Sequence, residues 1–330
     1  MVHASAAAFD DAPTRSGNAP ATGRDQLPPP IFEDWPDVPD RCTTDCRFTA
    51  GPEEMQEATP RFCPCADWQL SLPAVRPTTE IAVPLVRNGT WDHAIWTTIH
   101  HDYPALPASF APDEILLDVG CHTGAVCELG ARRGATVVGY EANRENYTLA
   151  ALNLAQHPSV RLHLAAVWRS DLSGPSQLVF SPHADTANTG GGSVLYGSPE
   201  EYWSARPSEG HDPAPPDMVL SSHPVDTVGL DHVLSRLGPV RVLKLDVEGA
   251  EFPILLTASR LDLVDTIVGE YHEFSEAQMN ALAPGSRVGH ELYSADLLRH
   301  QLEAAGYDVT IRPGRDPLGY FTAERRNRRQ

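Results

Sequence analysis

The chain is nearly devoid of lysine. Lys244 is the one lysine among 25 basic residues, and every other is an arginine. Positive charge is scarce altogether, because 44 acidic residues leave a formal net charge of -19 at pH 7. A surface of that sign repels phosphate backbones and anionic lipid, so neither nucleic acid nor a membrane is the expected partner, and a small molecule is. Long apolar runs are missing too. None approaches the roughly 20 residues that a membrane-spanning helix requires, which excludes a chain threaded through a bilayer by helices. The first 30 residues have neither a basic start nor an apolar stretch of the kind a secretory signal carries, so the cytoplasm is the expected compartment.

Cysteine is sparse as well, with six in 330 residues, and no disulfide framework is expected. Four of them, Cys42, Cys46, Cys63 and Cys65, lie close together in CxxxC and CPC spacing. They could give four thiolates to a structural zinc, although common zinc ribbons use paired CxxC; the alternative is a proline-rich leader with reduced thiols. Proline is abundant, with 30 residues, and it divides the chain. Residues 1–40, rich in Pro and Ala, read as a disordered leader. Residues 41–106 gain aromatics and a short helix over Thr90–His101, and they read as an N-terminal cap carrying the Cys cluster. The main domain is expected over 107–330, with a Pro-rich insertion at 171–224 that contains a hairpin near Asn188–Ser193.

Within that domain the apolar pattern alternates between strand and helix. Ile115–Leu117 ends at Asp118, a glycine loop follows, and a helix-compatible stretch reaches Arg133. Ala135–Tyr140 is the second strand, Arg144–Gln156 the second helix, and Val160–Val167 the third strand. After the insertion come a helix at Leu230–Leu237, a strand at Val240–Asp246, a helix at Ala250–Ser259 and a strand at Thr266–Tyr271. Ser294–Ala305 is the last helix, and Tyr307–Ile311 with Leu318–Ala323 forms a closing antiparallel hairpin. This order gives an α/β, doubly wound, mostly parallel sheet.

The glycine loop narrows the ligand. It reads Asp118-Val119-Gly120-Cys121-His122-Thr123-Gly124, an acid before GxxxG, where a dinucleotide site would have GxGxxG. A carboxylate there disfavours a pyrophosphate and favours a cationic amine, which S-adenosylmethionine has. Glu141 ends the second strand, where a carboxylate can accept hydrogen bonds from both hydroxyls of a ribose.

These residues, with Gly139-Tyr140-Glu141-Ala142-Asn143, Val225-Asp226-Thr227-Val228, Leu230-Asp231, Lys244-Leu245-Asp246-Val247-Glu248-Gly249-Ala250-Glu251 and Glu270-Tyr271-His272, resemble the FkbM-type S-adenosylmethionine-dependent methyltransferases. The resemblance runs from about Leu117 to the C-terminal hairpin. It implies the class I methyltransferase (Rossmann-like) fold, with a seven-stranded sheet and S-adenosylmethionine as cofactor. On the strand order it implies, Asp118, Glu141, Asp246 and Glu270 share one sheet edge. Cofactor contacts are expected from Asp118, Gly120, Cys121, His122, Gly124, Glu141, Ala142, Ala166 and Asp246. Lys244, Glu251 and Glu270 are expected in structural or ion-paired roles, Lys244 with Asp246 or Glu248.

Methyl transfer to oxygen needs alignment first and a base second, because the hydroxyl proton must leave. Asp246, Glu248 and His272 are the candidate bases, His272 favoured on its usual pKa and Asp246 on position. A divalent cation bridging Asp246 and Glu270 is a further option. The expected activity is O-methylation of a small natural product or sugar. Alternatives are N-methylation of a small molecule and a non-catalytic S-adenosylmethionine-binding module; an NAD-dependent oxidoreductase is disfavoured by the missing fingerprint.

Overall fold

A computed structural model describes residues 84–87, 90–172, 176–180, 189–205, 221–289, 291–314 and 317–326. The leader, the Cys42/Cys46/Cys63/Cys65 cluster and the proline-rich part of the insertion lie outside the described residues.

Helix α1 (Asp92–Asp102) precedes the sheet. Strand β1 (Ile115–Val119), α2 (Ala125–Arg132), β2 (Thr136–Glu141), α3 (Arg144–Leu154) and β3 (Val160–Leu164) follow in the alternation that the apolar runs announce. Beyond them come β4 (Ala166–Trp168), β5 (Ser176–Phe180), α4 (Pro199–Ala205), β6 (Ser221–Val225), β7 (Thr227–Gly229) and α5 (Leu230–Leu237). The chain closes with β8 (Val240–Leu245), α6 (Glu251–Thr257), β9 (Val264–His272), α7 (Glu276–Ala281), α8 (Ala295–Ala304), β10 (Tyr307–Pro313) and β11 (Leu318–Arg325). Local chemistry sets the helix starts. Asn143 accepts from the amides of Glu145 and Asn146 to cap α3, and Ser294 accepts from Leu297 to cap α8. Among the described residues no helix is long and apolar enough to cross a membrane.

The main sheet has seven strands in the order β10-β11-β9-β8-β1-β2-β3, parallel except for β11, which runs antiparallel to both β9 and β10. The doubly wound α/β sheet with an antiparallel C-terminal pair is therefore as expected. Its central strands are continuous apolar runs because both faces are covered. Leu116, Val137, Val242 and Val268 bury against the face occupied by α1, α2 and α3. The chain reverses its winding between β1 and β8, and a crevice opens there at the carboxyl ends of the strands.

Two expectations are corrected. The third strand is not continuous from Val160 to Val167: β3 ends at Leu164, and Ala166–Trp168 leaves to pair in parallel with Thr227–Gly229. The division follows burial, since β3 is a half-exposed edge strand whereas β4 is buried throughout. The hairpin expected near Asn188–Ser193 has its first arm outside the described residues; the two ends of the insertion pair with each other, Ser176–Phe180 antiparallel to Ser221–Val225. Helices α4 and α7 were not anticipated. Helix α7 has a capping box, Ser275 with Gln278, that the sequence displays, but it is only six residues long.

Candidate active site

The first wall of the crevice is the loop after β1. Gly120 adopts φ 77°, and a Cβ there would collide with the Asp246 carbonyl, so only glycine lets this loop lie on the end of β8. Side-chain alternation puts Asp118 and Lys244 side by side on the face shared with Leu116, under the loop. Lys244 Nζ stands 3.3 Å from Asp118 Oδ1 and donates to the Gly120 carbonyl at 2.6 Å. The contact with Asp118 is an ion pair rather than an aligned hydrogen bond. The other Asp118 oxygen accepts from the Cys127 thiol at 3.1 Å. Burial opposes the charge on Lys244, but Asp118 and Asp246 outweigh it and raise the pKa of the ammonium.

This arrangement changes two expected roles and adds a partner in a third case. Asp118 is fully buried and has no surface in the cavity, so its work is to hold Lys244, not to meet a ligand amine. Gly124 also lies off the cavity, packed against Leu154. Lys244 pairs with Asp246 at 3.7 Å as expected, Asp118 is an additional and closer partner, and Glu248 lies beside His272.

The second wall is built on Glu141. Its carboxylate accepts from the amides of His122 and Asn143, each at 2.8 Å, which ties the end of β2 to the glycine loop. Burial pushes its pKa up to about 7 in spite of those two amides. Behind it lies a buried polar cluster. Arg87 pairs bidentately with Asp92 at 2.9 and 3.1 Å and reaches Asn146 at 2.7 Å. Thr189 donates its hydroxyl to Asp92 and lies 2.8 Å from His122 Nε2. Burial lowers the His122 pKa to about 4, so the ring is neutral at physiological pH. Residues 189–194 then cross to the far side, where the Ser193 hydroxyl donates to the Glu248 carbonyl at 3.0 Å.

The third wall carries most of the charge. Tyr103, brought in at the end of α1, donates to Asp246 Oδ2 at 2.8 Å. Burial works against ionisation of Asp246, yet Lys244 and this hydroxyl prevail and hold the carboxyl below its usual range. Glu248 has a left-handed φ of 54°, an unusual conformation for a residue with a side chain, which projects it from the tight turn after β8. His272 Nε2 is 3.5 Å from both Glu248 and Glu270, while Nδ1 faces Glu251 at 3.8 Å, too far for a hydrogen bond. Fully buried Glu251 accepts from the Val247 amide at 2.7 Å and so steadies the turn.

Expecting His272 to be the base on pKa is therefore corrected. Burial favours the neutral ring, but Glu251, Glu248 and Glu270 overcome it and push the pKa to about 10. At neutral pH the imidazole already holds its proton. Glu270 shifts the other way from a simple carboxylate: burial, then Asp246, raise it to about 8.

These walls enclose a cavity of about 450 Å³. Gly120, Cys121, His122, Glu141, Ala142, Ala166, Asp246, Glu248, Glu270 and His272 all reach it. Its donor set fits a sulfonium nucleoside. Carboxylates outnumber cations, both cations are paired by carboxylates, and Ala142, Ala166 and Val167 offer an apolar bed beside Glu141. A pyrophosphate would find no unpaired cation among the described lining residues. The positive groups beside Asp246 and Glu270 are Lys244 and His272, and among the described residues no three side chains of metal-ligating type converge in a metal-binding arrangement.

Tyr103, Arg87, Asp92, Asn146, Thr189 and Tyr320 escaped sequence reading. Only Asn143, in the Glu-Ala-Asn segment, carried a local signal as a helix cap. The others act across long separations in sequence, which leave no periodic trace.

The methyltransferase FkbM domain model matches residues 118–309, more than half of the chain. No curated protein matches it. Solved structures similar to it include a precorrin-6y C5,15-methyltransferase from Geobacter metallireducens, with 10% identity, 73% of this chain and 93% of that chain covered, and a TM-score of 0.36. A putative S-adenosylmethionine-dependent methyltransferase from Listeria monocytogenes gives 13%, 71%, 100% and 0.37 in the same order. The N-terminal domain of EvdMO1 with SAH bound gives 14%, 71%, 80% and 0.35. At these scores none of the three bears on fold or chemistry, which rest on the strand order and side chains described above.

Proposed function

This chain belongs to the FkbM methyltransferase family, and from that premise we propose that it transfers a methyl group from S-adenosylmethionine to a hydroxyl of a small acceptor, a natural product or a sugar. The bound cofactor supplies a methyl on a positive sulfur, already activated for in-line displacement. What the protein must add is alignment, exclusion of water and a place for the departing proton.

The observation that carries this reading is the crevice itself, an acid-rich cavity at the carboxyl ends of β1, β2, β8 and β9. Glu141, with Ala142 and Ala166 beside it, suits a ribose and its base. Asp246 suits the reacting end, because it stays ionised under Lys244 and Tyr103 and can take a hydroxyl proton as the oxygen is alkylated. Protonated His272 orients Glu248 and Glu270 rather than serving as base. Lys244 ties the glycine loop to β8 through the Gly120 carbonyl.

The test is incubation with S-adenosylmethionine and a panel of hydroxylated and amine acceptors, with S-adenosylhomocysteine as the readout. Product with hydroxylated acceptors supports the reading. Product with amines alone would move the activity to nitrogen, and tight cofactor binding without product would make the protein a binding module.

A further inference from the structure

Trp91, the residue before α1, stands at the margin of the cavity and is 55% exposed, more than any other large apolar side chain among the described residues. An indole left that open forgoes the burial that normally keeps tryptophan in a core. Nor does it cap the helix, since no side chain bonds to the amides at that end. The backbone that carries it is nevertheless firmly held. Asp92, the next residue, is fully buried and accepts from Arg87 on both oxygens and from the Thr189 hydroxyl, while Arg87 and the Thr189 carbonyl each also bond to Asn146. Four buried or half-buried side chains thus fix the place of one exposed indole.

The course of α1 shows which part of the cavity that place serves. Its last turn meets β8, where Tyr103 bonds to Asp246, and its first turn meets Asn146 at the start of α3 through Thr189, so the helix crosses the ends of the strands. Eleven residues of helix span roughly 16 Å, whereas β8 and β2, with β1 between them, lie about 10 Å apart. Trp91 therefore lies past Glu141, on the side away from Asp246. The cavity is apolar there. Ala142, Ala166 and Val167 line it and bring no charge, and Asn143 and Asn146 add only neutral polar atoms. A flat indole beside small aliphatic side chains suits a planar heteroaromatic ring, and the hydroxyls of the attached sugar are already served by Glu141.

We propose that Trp91 is a cofactor-binding residue whose indole stacks on the purine of the nucleoside that Glu141 holds by its ribose. The role rests on the S-adenosylmethionine reading of the cavity and adds to it the side chain that grips the base. The Arg87–Asp92 pair, with Thr189 and Asn146, acts through Trp91 as its mount.

Equilibrium binding to the full chain, with no turnover required, tests it. S-adenosylhomocysteine and methylthioadenosine both carry the base, and S-ribosylhomocysteine lacks it. Trp91→Ala should weaken the two base-bearing ligands by about tenfold, and S-ribosylhomocysteine should bind this variant as it binds the wild type. Trp91→Phe keeps a ring to stack on and should retain most of the affinity. Indole emission gives a second readout. It should change when the wild type takes up either base-bearing ligand, and Trp91→Phe should bind without that change, which separates Trp91 from the remaining tryptophans. Wild-type affinity for S-adenosylhomocysteine in Trp91→Ala, an equal loss for ligands with and without the base, or an unaltered emission change in Trp91→Phe would each overturn the assignment and leave methyl transfer standing. Failure of the wild type to bind either base-bearing ligand would overturn the cofactor reading itself, and the stacking role with it.

Discussion

The Tyr103 hydroxyl donates to Asp246 at 2.8 Å, joining the end of the N-terminal helix to the end of a central strand 143 positions later. A hydrogen bond to the charged form of a carboxyl favours ionisation, so Tyr103 helps to hold Asp246 as an anion.

Tyr103→Phe should therefore raise the Asp246 pKa. More of the carboxyl is then protonated at mildly acidic pH, and the acid limb of the rate profile moves to higher pH. A pH series of kcat/KM on any accepted substrate checks this. An unshifted limb would mean that Tyr103 only fills space. Asp246→Asn, by comparison, should reduce turnover far more than cofactor affinity.

Glu141 provides a test that needs no acceptor. Its pKa is pushed up to about 7 by burial, and hydroxyls donating to the carboxylate would lower it again. Binding then releases a proton, so affinity for S-adenosylhomocysteine should rise as pH increases through about 7. Glu141→Gln should bind about tenfold or more weakly and lose that slope, which arises from a charge-assisted hydrogen bond. Calorimetry in buffers of different ionisation enthalpy reads both effects.

Lys244 and Asp118 form a buried pair, and removing one partner leaves an uncompensated charge. Lys244→Met should cost about 3–5 kcal/mol of stability. The double variant Lys244→Met, Asp118→Asn should recover part of it. Urea denaturation measures the difference, and no recovery in the double variant would show that Lys244 acts mainly through the Gly120 carbonyl.

His272 makes stability depend on pH. Its folded pKa, about 10, lies above the usual 6.5, so its contribution is complete below about 6.5 and is lost as pH rises to 10. Glu141 and Glu270 are also raised, to about 7 and about 8, and their neutral forms favour the fold, so their effect has the same sign from about 4.5 upward. Below about 6.5 His122, whose pKa burial lowers to about 4, works in the opposite direction, so the net fall in stability should be read from about pH 6.5 to pH 10. His272→Gln should flatten the alkaline part of that fall.

The sequence discloses the sheet because apolar runs buried on both sides are continuous and the loops between them are rich in glycine. It discloses Glu141 and Asp246 because strand ends are where an open sheet binds ligands. It misjudges Asp118, since a position one residue before the loop looks ligand-facing until the alternation of the strand turns it inward. His272 was misread because its carboxylate neighbours come from three places in the chain, the turn after β8, the start of α6 and its own strand. Tyr103 and the Arg87–Asp92–His122 cluster depend on α1 packing beside α2, and no pattern within α1 announces that. The early end of β3 at Leu164 had no breaker residue to mark it, only a change in burial.

Isothermal titration of the purified protein with S-adenosylhomocysteine and, separately, with NAD examines the acidic crevice most directly. Saturable binding of the sulfur nucleoside, weakened in Glu141→Gln, with no heat from the dinucleotide is the expected result. Uptake of NAD and indifference to S-adenosylhomocysteine would contradict the account.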